Sequence, residues 1–176
     1  QDGDPKVALD FVKANPETLA AHPHEIGEMF DEIHEKGGQE LLKDWATSLP
    51  PGKLRDMALT RIVDQWARYD PLATREWMEG VGTSKENLPA MRPELAESWA
   101  RVDPKQALRW VASLPEEART QEMYDGIFRR WMQYDRNGAA EWLANQPPSP
   151  ALDRPIERYL WGVMRYDPAG SMAWAE

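Results

Sequence analysis

The side chains best suited to chemistry gather near the N-terminus, where all three histidines stand at His22, His24 and His34. His24 and Glu28 are four residues apart, which places them on one face of a helix. With His22 they would offer two imidazoles and a carboxylate, a donor set that suits zinc. The competing reading is a solvated helix start, where acidic side chains such as Glu25 and Glu28 are favoured by the dipole. The chain has no cysteine and no second metal motif, so no metal site is expected, and His22, His24 and Glu28 form the weaker alternative. His34-Glu35 lacks the second histidine of a zinc-protease helix. The run Glu79-Gly80-Val81-Gly82-Thr83-Ser84-Lys85 resembles a phosphate loop only in outline. A phosphate loop needs a strand before it and a Lys-Ser/Thr pair at its end. Here Glu86 follows Lys85 and the flanks read as helices, so a long inter-helix loop capped by Thr83 or Ser84 is expected. No Gly-x-Ser-x-Gly elbow occurs, and carboxylate pairs are unavoidable among 30 acidic residues. Catalysis and cofactors are therefore not expected.

The elements that must carry these residues follow from composition and period. The chain has 176 residues, 41% of them hydrophobic, enough for one core or one short repeat array. No apolar run approaches the roughly 20 residues that span a bilayer, so membrane insertion is not expected. The net charge of −9 repels polyanions at long range, which argues against nucleic acid. No signal-like segment opens the chain, which begins at Gln1, and the compartment stays open.

One phrase recurs: Trp66-Ala67-Arg68-Tyr69-Asp70-Pro71 and Trp99-Ala100-Arg101-Val102-Asp103-Pro104, with looser copies at Trp131–Arg136 and Val163–Pro168. With its Asp as anchor, the copies fall at Asp4, Asp70, Asp103, Asp135 and Asp167, and Gly38 takes the slot in a degenerate second copy. The spacings are 34, 32, 33, 32 and 32 residues, a period typical of helical repeat arrays. Seven residues past each anchor stands an aromatic: Phe11, Trp45, Trp77, Trp110, Trp142 and Trp174. Apolar or small residues four, eight and eleven past the anchor complete an amphipathic stripe, which defines a helix A. Asp is a good N-cap, and Pro suits the first helical position because its missing N–H has no partner there. Helix A should end at Pro16, Pro50, Pro115, Pro147 or Gly80–Gly82.

A second stripe precedes each anchor and defines a helix B. It holds Phe30, Ile62, Leu95, Ile127 and Tyr159 eight residues before the anchor. His34, Trp66, Trp99, Trp131 and Val163 stand four before, and Tyr69, Val102, Tyr134 and Tyr166 one before. Eight of nine Trp sit at two repeat positions, with Trp161 out of register. A Trp-rich surface could stack sugars or bases, but periodic placement on the apolar stripes points to two buried ladders. Two charged rows also follow the period. Lys36, Arg68, Arg101, Gln133 and Arg165 lie in the last turn of helix B, where the cations among them complement its dipole. Asp10, Asp44, Glu76, Arg109 and Glu141 lie opposite the core stripe.

Asp103-Pro104 followed by Ala107 and Trp110, and Asp4-Pro5 followed by Ala8 and Phe11, resemble the start of a tetratricopeptide repeat. The likeness covers almost the whole chain as a period and only part of the motif within each copy. The family's Leu-Gly pair and later Tyr are missing, and bulky Trp66, Trp99 and Trp131 stand where it has a small residue. The chain is similar to divergent Trp- and Asp-Pro-rich helical repeats of uncharacterised bacterial proteins. The resemblance implies a concave partner-binding surface and no substrate.

The expected fold class is all-α, a right-handed αα-hairpin solenoid of about five repeats plus one extra helix. A single helical-repeat domain over 1–176 is expected, with repeats at about 4–37, 38–69, 70–102, 103–134 and 135–166 and a partial copy at 167–176. Met172 and Trp174 in that copy make a poor polar cap, so further repeats of the same chain are expected beyond it. The expected function is a non-catalytic scaffold whose partner is a protein or peptide. The alternatives are a structural spacer and a metal-binding or enzymatic domain using the first-repeat histidines. If helix A lines the concave face, the positions flanking its core stripe would meet the partner: Lys43, Thr47, Arg75, Glu79 and Leu108.

Overall fold

A computed structural model of the chain describes residues 4–80 and 88–166, with the side chains of 18–20, 23, 26 and 163–166 excepted. Every regular element among the described residues is helical. The α-helices are α1 (Pro5–Ala14), α2 (Pro16–Ala21), α3 (Pro23–Glu35), α4 (Gln39–Ser48), α5 (Lys53–Ala67) and α6 (Pro71–Glu79). They continue as α7 (Leu88–Trp99), α8 (Pro104–Ser113), α9 (Gln121–Tyr134), α10 (Arg136–Ala144) and α11 (Asp153–Tyr166). Two single 3-10 turns lie at Glu116–Ala118 and Pro150–Leu152. Helices α1, α4, α6, α8 and α10 occupy the helix A slots, and α3, α5, α7, α9 and α11 the helix B slots. The short α2 was not expected. It starts on Pro16, the residue that stops α1 also serving as the first position of the next helix. The glycine-rich loop expected over 79–85 and the partial copy over 167–176 lie almost wholly outside the described residues.

The anchors explain where helix A begins. Asp4, Asp70, Asp103 and Asp135 each accept a first-turn amide hydrogen, from Lys6, Ala73, Gln106 and Gly138, at 2.8–2.9 Å. Asp135 does so without a following proline, so the carboxylate alone suffices. Gly38 has no cap side chain, and there is a physical reason for its place in the slot. The end of α3 is a Schellman turn. Gly37 holds φ +80, its N–H donates to the His34 carbonyl at 2.9 Å, and that of Gly38 to the Ile33 carbonyl at 2.8 Å. A Cβ at residue 38 would stand 2.5 Å from Ile33 Cγ2 and 2.8 Å from its carbonyl oxygen, so an Asp does not fit there.

The chain divides into two compact units, Gln1–Met91 and Arg92–Glu176. The division falls inside α7, next to Pro93, which has no N–H to donate to the preceding turn. In the first unit α3, α4, α5 and α6 pack on one another in chain order, and α3 also meets α5 directly. Their core holds Leu9, Phe30, Leu42, Trp45, Leu59, Ile62, Val63 and Met78. In the second unit α9 is central, packed against α8, α10 and α11. Its core holds Leu95, Trp99, Ala107, Trp110, Val111, Ile127, Phe128, Trp131 and Leu143.

The helix A stripe is correct at four and eight residues past the anchor, where Leu42, Thr74, Ala107 and Ala139, then Val12, Ala46, Met78, Val111 and Leu143, are buried. The helix B stripe holds at its first position, where Phe30, Ile62, Leu95 and Ile127 are buried. At the second, Trp99 and Trp131 are buried but His34 and Trp66 only half-buried, and at the third it fails. Tyr69 is 78% exposed, and Val102 and Tyr134 are exposed as well. Helices α5 and α7 stop at Ala67 and Trp99, and Tyr134 is the final residue of α9, so the position lies at or past the helix end. The tryptophans do not form two separate ladders. They pair, the helix B ring against the next helix A ring: Trp66 with Trp77 at 5.9 Å, Trp99 with Trp110 at 5.8 Å, and Trp131 with Trp142 at 6.4 Å between centroids. In the second copy Phe30 takes the first role, edge-on to Trp45 at 5.5 Å. Phe11 has no described helix B before it and is 60% exposed.

Candidate functional site

The residues expected to flank the core on helix A separate into two groups. Lys43 and Leu108 are only 8% and 4% exposed. Thr47 and Arg75 are half-buried, and Glu79 is exposed. Lys43 is held by its own chain. Its ammonium sits 2.5 Å from Glu40 Oε1, 4.2 Å from the centroid of Trp66 and 5.9 Å from that of Trp77. Two indole faces and a carboxylate thus replace the water that this cation loses on burial. Thr47 turns its hydroxyl inward along α4, donating to the Lys43 carbonyl at 2.9 Å. Arg75 and Glu79 face each other one turn apart on α6, at 3.8 Å.

Leu108 has a different setting. In the second unit Lys105, Leu108, Arg109 and Ala112 recur at i, i+3, i+4 and i+7 on α8, one strip of the helix surface. That strip forms one wall of a cleft of about 270 Å³. Tyr124 of α9 and Trp142 of α10 form the aromatic wall. The 3-10 turn at Pro150–Leu152 contributes Ala151 and Leu152. No Asp or Glu stands among the lining residues, and two cations stand at α8. An apolar or aromatic side chain fits the floor, and carboxylates fit Lys105 and Arg109. Tyr124 and Trp142 had no place in the expected site. The repeat register pointed to Trp142 as core, and Tyr124 falls outside both stripes.

A second cleft of the same unit lies at α9, α10 and α11, where Arg129, Arg136 and Arg158 line about 350 Å³. Behind it, Glu97 of α7 accepts from Arg129 and, at 2.8 Å, lies beside Arg130 Nε. Gly126 permits this approach, since a Cβ there would stand 3.1 Å from Glu97 Cβ.

The first-repeat histidines do not converge. His22 Nδ1 lies 3.5 Å from Glu25 and His24 Nδ1 lies 3.5 Å from Glu28, two exposed local pairs. A backbone hydrogen bond at the start of α3 holds the Glu25 carboxyl below its ordinary pKa, and His22 adds to the effect. His34 stacks on Tyr69 at 6.0 Å instead. Among the described residues no group of three or more His, Cys, Asp or Glu is placed to hold a metal ion. The helix-end cations pair within their own helices: Lys36 with Glu32 at 2.6 Å, and Arg68 with Asp64. No described helix is long and apolar enough to cross a membrane. Comparison of the chain with known family models, curated proteins and solved structures yields no match.

Proposed function

We propose that the chain is a non-catalytic peptide-binding scaffold of stacked αα-hairpins, and that the α8 cleft takes an acidic segment carrying a bulky apolar side chain. The cleft is the observation that carries this reading. It joins a helix A strip, an aromatic wall and two cations with no acidic side chain in its lining. Stacking of hairpins is supported by ion pairs from one helix B to the next: Asp31 with Arg61 at 2.6 Å in the first unit, and Asp125 with Arg154 at 3.4 Å in the second. The first helix A is tied to the second in a similar way, Trp45 Nε1 donating to the Leu9 carbonyl at 2.9 Å. Each tie joins equivalent helices of successive copies, as a tandem array requires.

Helix-lined clefts bind extended or helical peptides through a few anchors, and rim charges set the on-rate and the preference. The test is selection of a random dodecapeptide library on the whole chain, with enriched peptides measured by fluorescence anisotropy. Enriched sequences should place Asp or Glu beside Phe, Leu or Trp, and K105E/R109E should abolish binding while leaving the melting temperature unchanged. Failure to enrich any sequence, or binding that K105E/R109E does not weaken, would remove this assignment and favour a structural spacer.

A further inference from the structure

We propose that Trp66, Trp77 and Glu40 form a cage for an alkylated ammonium group, and that Lys43 is the resident cation that blocks it. All four residues belong to the first unit, Glu40 and Lys43 on α4, Trp66 on α5 and Trp77 on α6. The two indoles stand 5.9 Å apart between centroids with their planes tilted by 53°, so they make a corner and not a flat stack. The Lys43 ammonium sits in that corner, 4.2 Å from the Trp66 centroid and 5.9 Å from that of Trp77. Glu40 closes a third side at 2.5 Å, and its side chain is 80% exposed. The carboxylate therefore marks the mouth of the cage on the solvent side.

The core does not ask for a cation here. The residue five past the anchor, which is Lys43 in this copy, is Leu9, Leu108 or Ala140 in three of the others, and all three are buried. An apolar side chain thus serves the position, while this copy seats a charge there at a cost in desolvation. The rings around it are also the most accessible of their kind. Phe30 and Trp45 are both buried, as are Trp99 and Trp110, and Trp131 is buried against a half-buried Trp142. Among the described pairs, only Trp66 and Trp77 are both half-buried, so a ligand can reach both faces once Lys43 withdraws.

The chemistry of the walls selects the ligand. An indole face attracts a cation through the ring quadrupole, and more strongly when the cation is desolvated. A lysine ammonium is compact and strongly hydrated, so it gives up much of its hydration to sit there. An alkylated ammonium carries its charge under methyl groups, gives up less, and buries apolar surface against the rings. It is the better match for the same three walls. Lys43 has the advantage of its tether, which acts as a high local concentration of competitor. The ligand and the seated Lys43 exclude each other, so the position of that one side chain sets the affinity of the site. The group has two sources, a free quaternary amine or a methylated lysine of a protein.

Proton–nitrogen correlation NMR of the whole chain follows the indole N–H resonances, at ionic strength matched with sodium chloride. Tetramethylammonium chloride should shift those of Trp66 and Trp77 in K43A and leave those of Trp110 and Trp131 in place. Wild type should bind it about tenfold or more weakly than K43A, because the tethered cation competes. E40Q in the K43A background should weaken binding again, through loss of the carboxylate at the mouth. Should K43A lose its helical circular dichroism signal, K43Q is measured in its place, which removes the charge and keeps most of the stem. Choline and a trimethyllysine hexapeptide, beside its unmethylated twin, then separate the sources. Tighter binding of the methylated peptide assigns the group to a protein partner, and tighter binding of choline assigns it to a free compound. No shift at Trp66 and Trp77 in K43A, equal affinity in wild type and K43A, or ammonium chloride acting as well as tetramethylammonium, overturns the proposal.

Discussion

A single repeat position has opposite energetic meanings at Phe11 and Trp110. Both stand seven residues past an Asp-Pro anchor and look equivalent by period. Trp110 meets Trp99 and is 5% exposed, whereas Phe11 meets no helix B ring among the described residues and is 60% exposed. Truncating a buried Trp removes its transfer energy and leaves a cavity, at about 3–5 kcal/mol. Truncating an exposed side chain changes stability by about 0.5 kcal/mol or less. Urea titrations of W110A and F11A should therefore give midpoints far apart, with F11A close to wild type. Equal losses in the two variants would mean that the paired rings do not carry the core. Lys43 shows the same dependence on context. Its position reads as a surface cation from period alone, and only the arrival of Trp66 from α5 and Trp77 from α6 makes it an interior one.

Element boundaries were legible because they depend on local chemistry. An Asp that caps, a Pro that cannot donate and a Gly that tolerates a left-handed turn each act within a few residues. Four of the anchors cap as expected, and the ends of α4 and α8 fall just before Pro50 and Pro115. The misses share a cause in packing across elements. Tyr69, Val102 and Tyr134 continue the helix B pattern by count, but they stand at or past the helix end and stay mostly exposed, Tyr69 meeting the His34 ring of α3 by stacking. The site was legible only in part for the same reason. Lys105, Leu108, Arg109 and Ala112 share a face by spacing, whereas Tyr124 and Trp142 join them through the way α9 and α10 pack, which no single stripe encodes. Caps permit a quantitative check at this scale. Asp103→Ala removes the acceptor for the Gln106 amide and should cost about 0.5–2 kcal/mol. The same change at Asp44, which does not cap a helix, should cost less. Chemical denaturation of the two variants decides it, and equal costs would remove the anchor's role as a cap.

At the scale of the whole chain, the two compact units differ in charge. The first 91 residues carry 17 acidic and 10 basic side chains, and the remaining 85 carry 13 and 11. Both clefts with cationic linings described above belong to the second, less acidic unit, so an acidic partner would be steered toward it. In repeat arrays stability is close to a sum over neighbours, and units open in separate steps where coupling is weak. The division inside α7 coincides with Pro93, which interrupts the backbone hydrogen bonding of the helix that joins the units. Opening of the second unit should therefore leave the first one folded. Hydrogen exchange followed by mass spectrometry on W110A tests this directly. Amides of α8 and α9 should lose protection by the full destabilisation, while those of α4 and α5 keep wild-type protection. A uniform loss across α4, α5, α8 and α9 would instead make the chain one cooperative body. In that case a ligand at α8 would stabilise the first unit as strongly as the second.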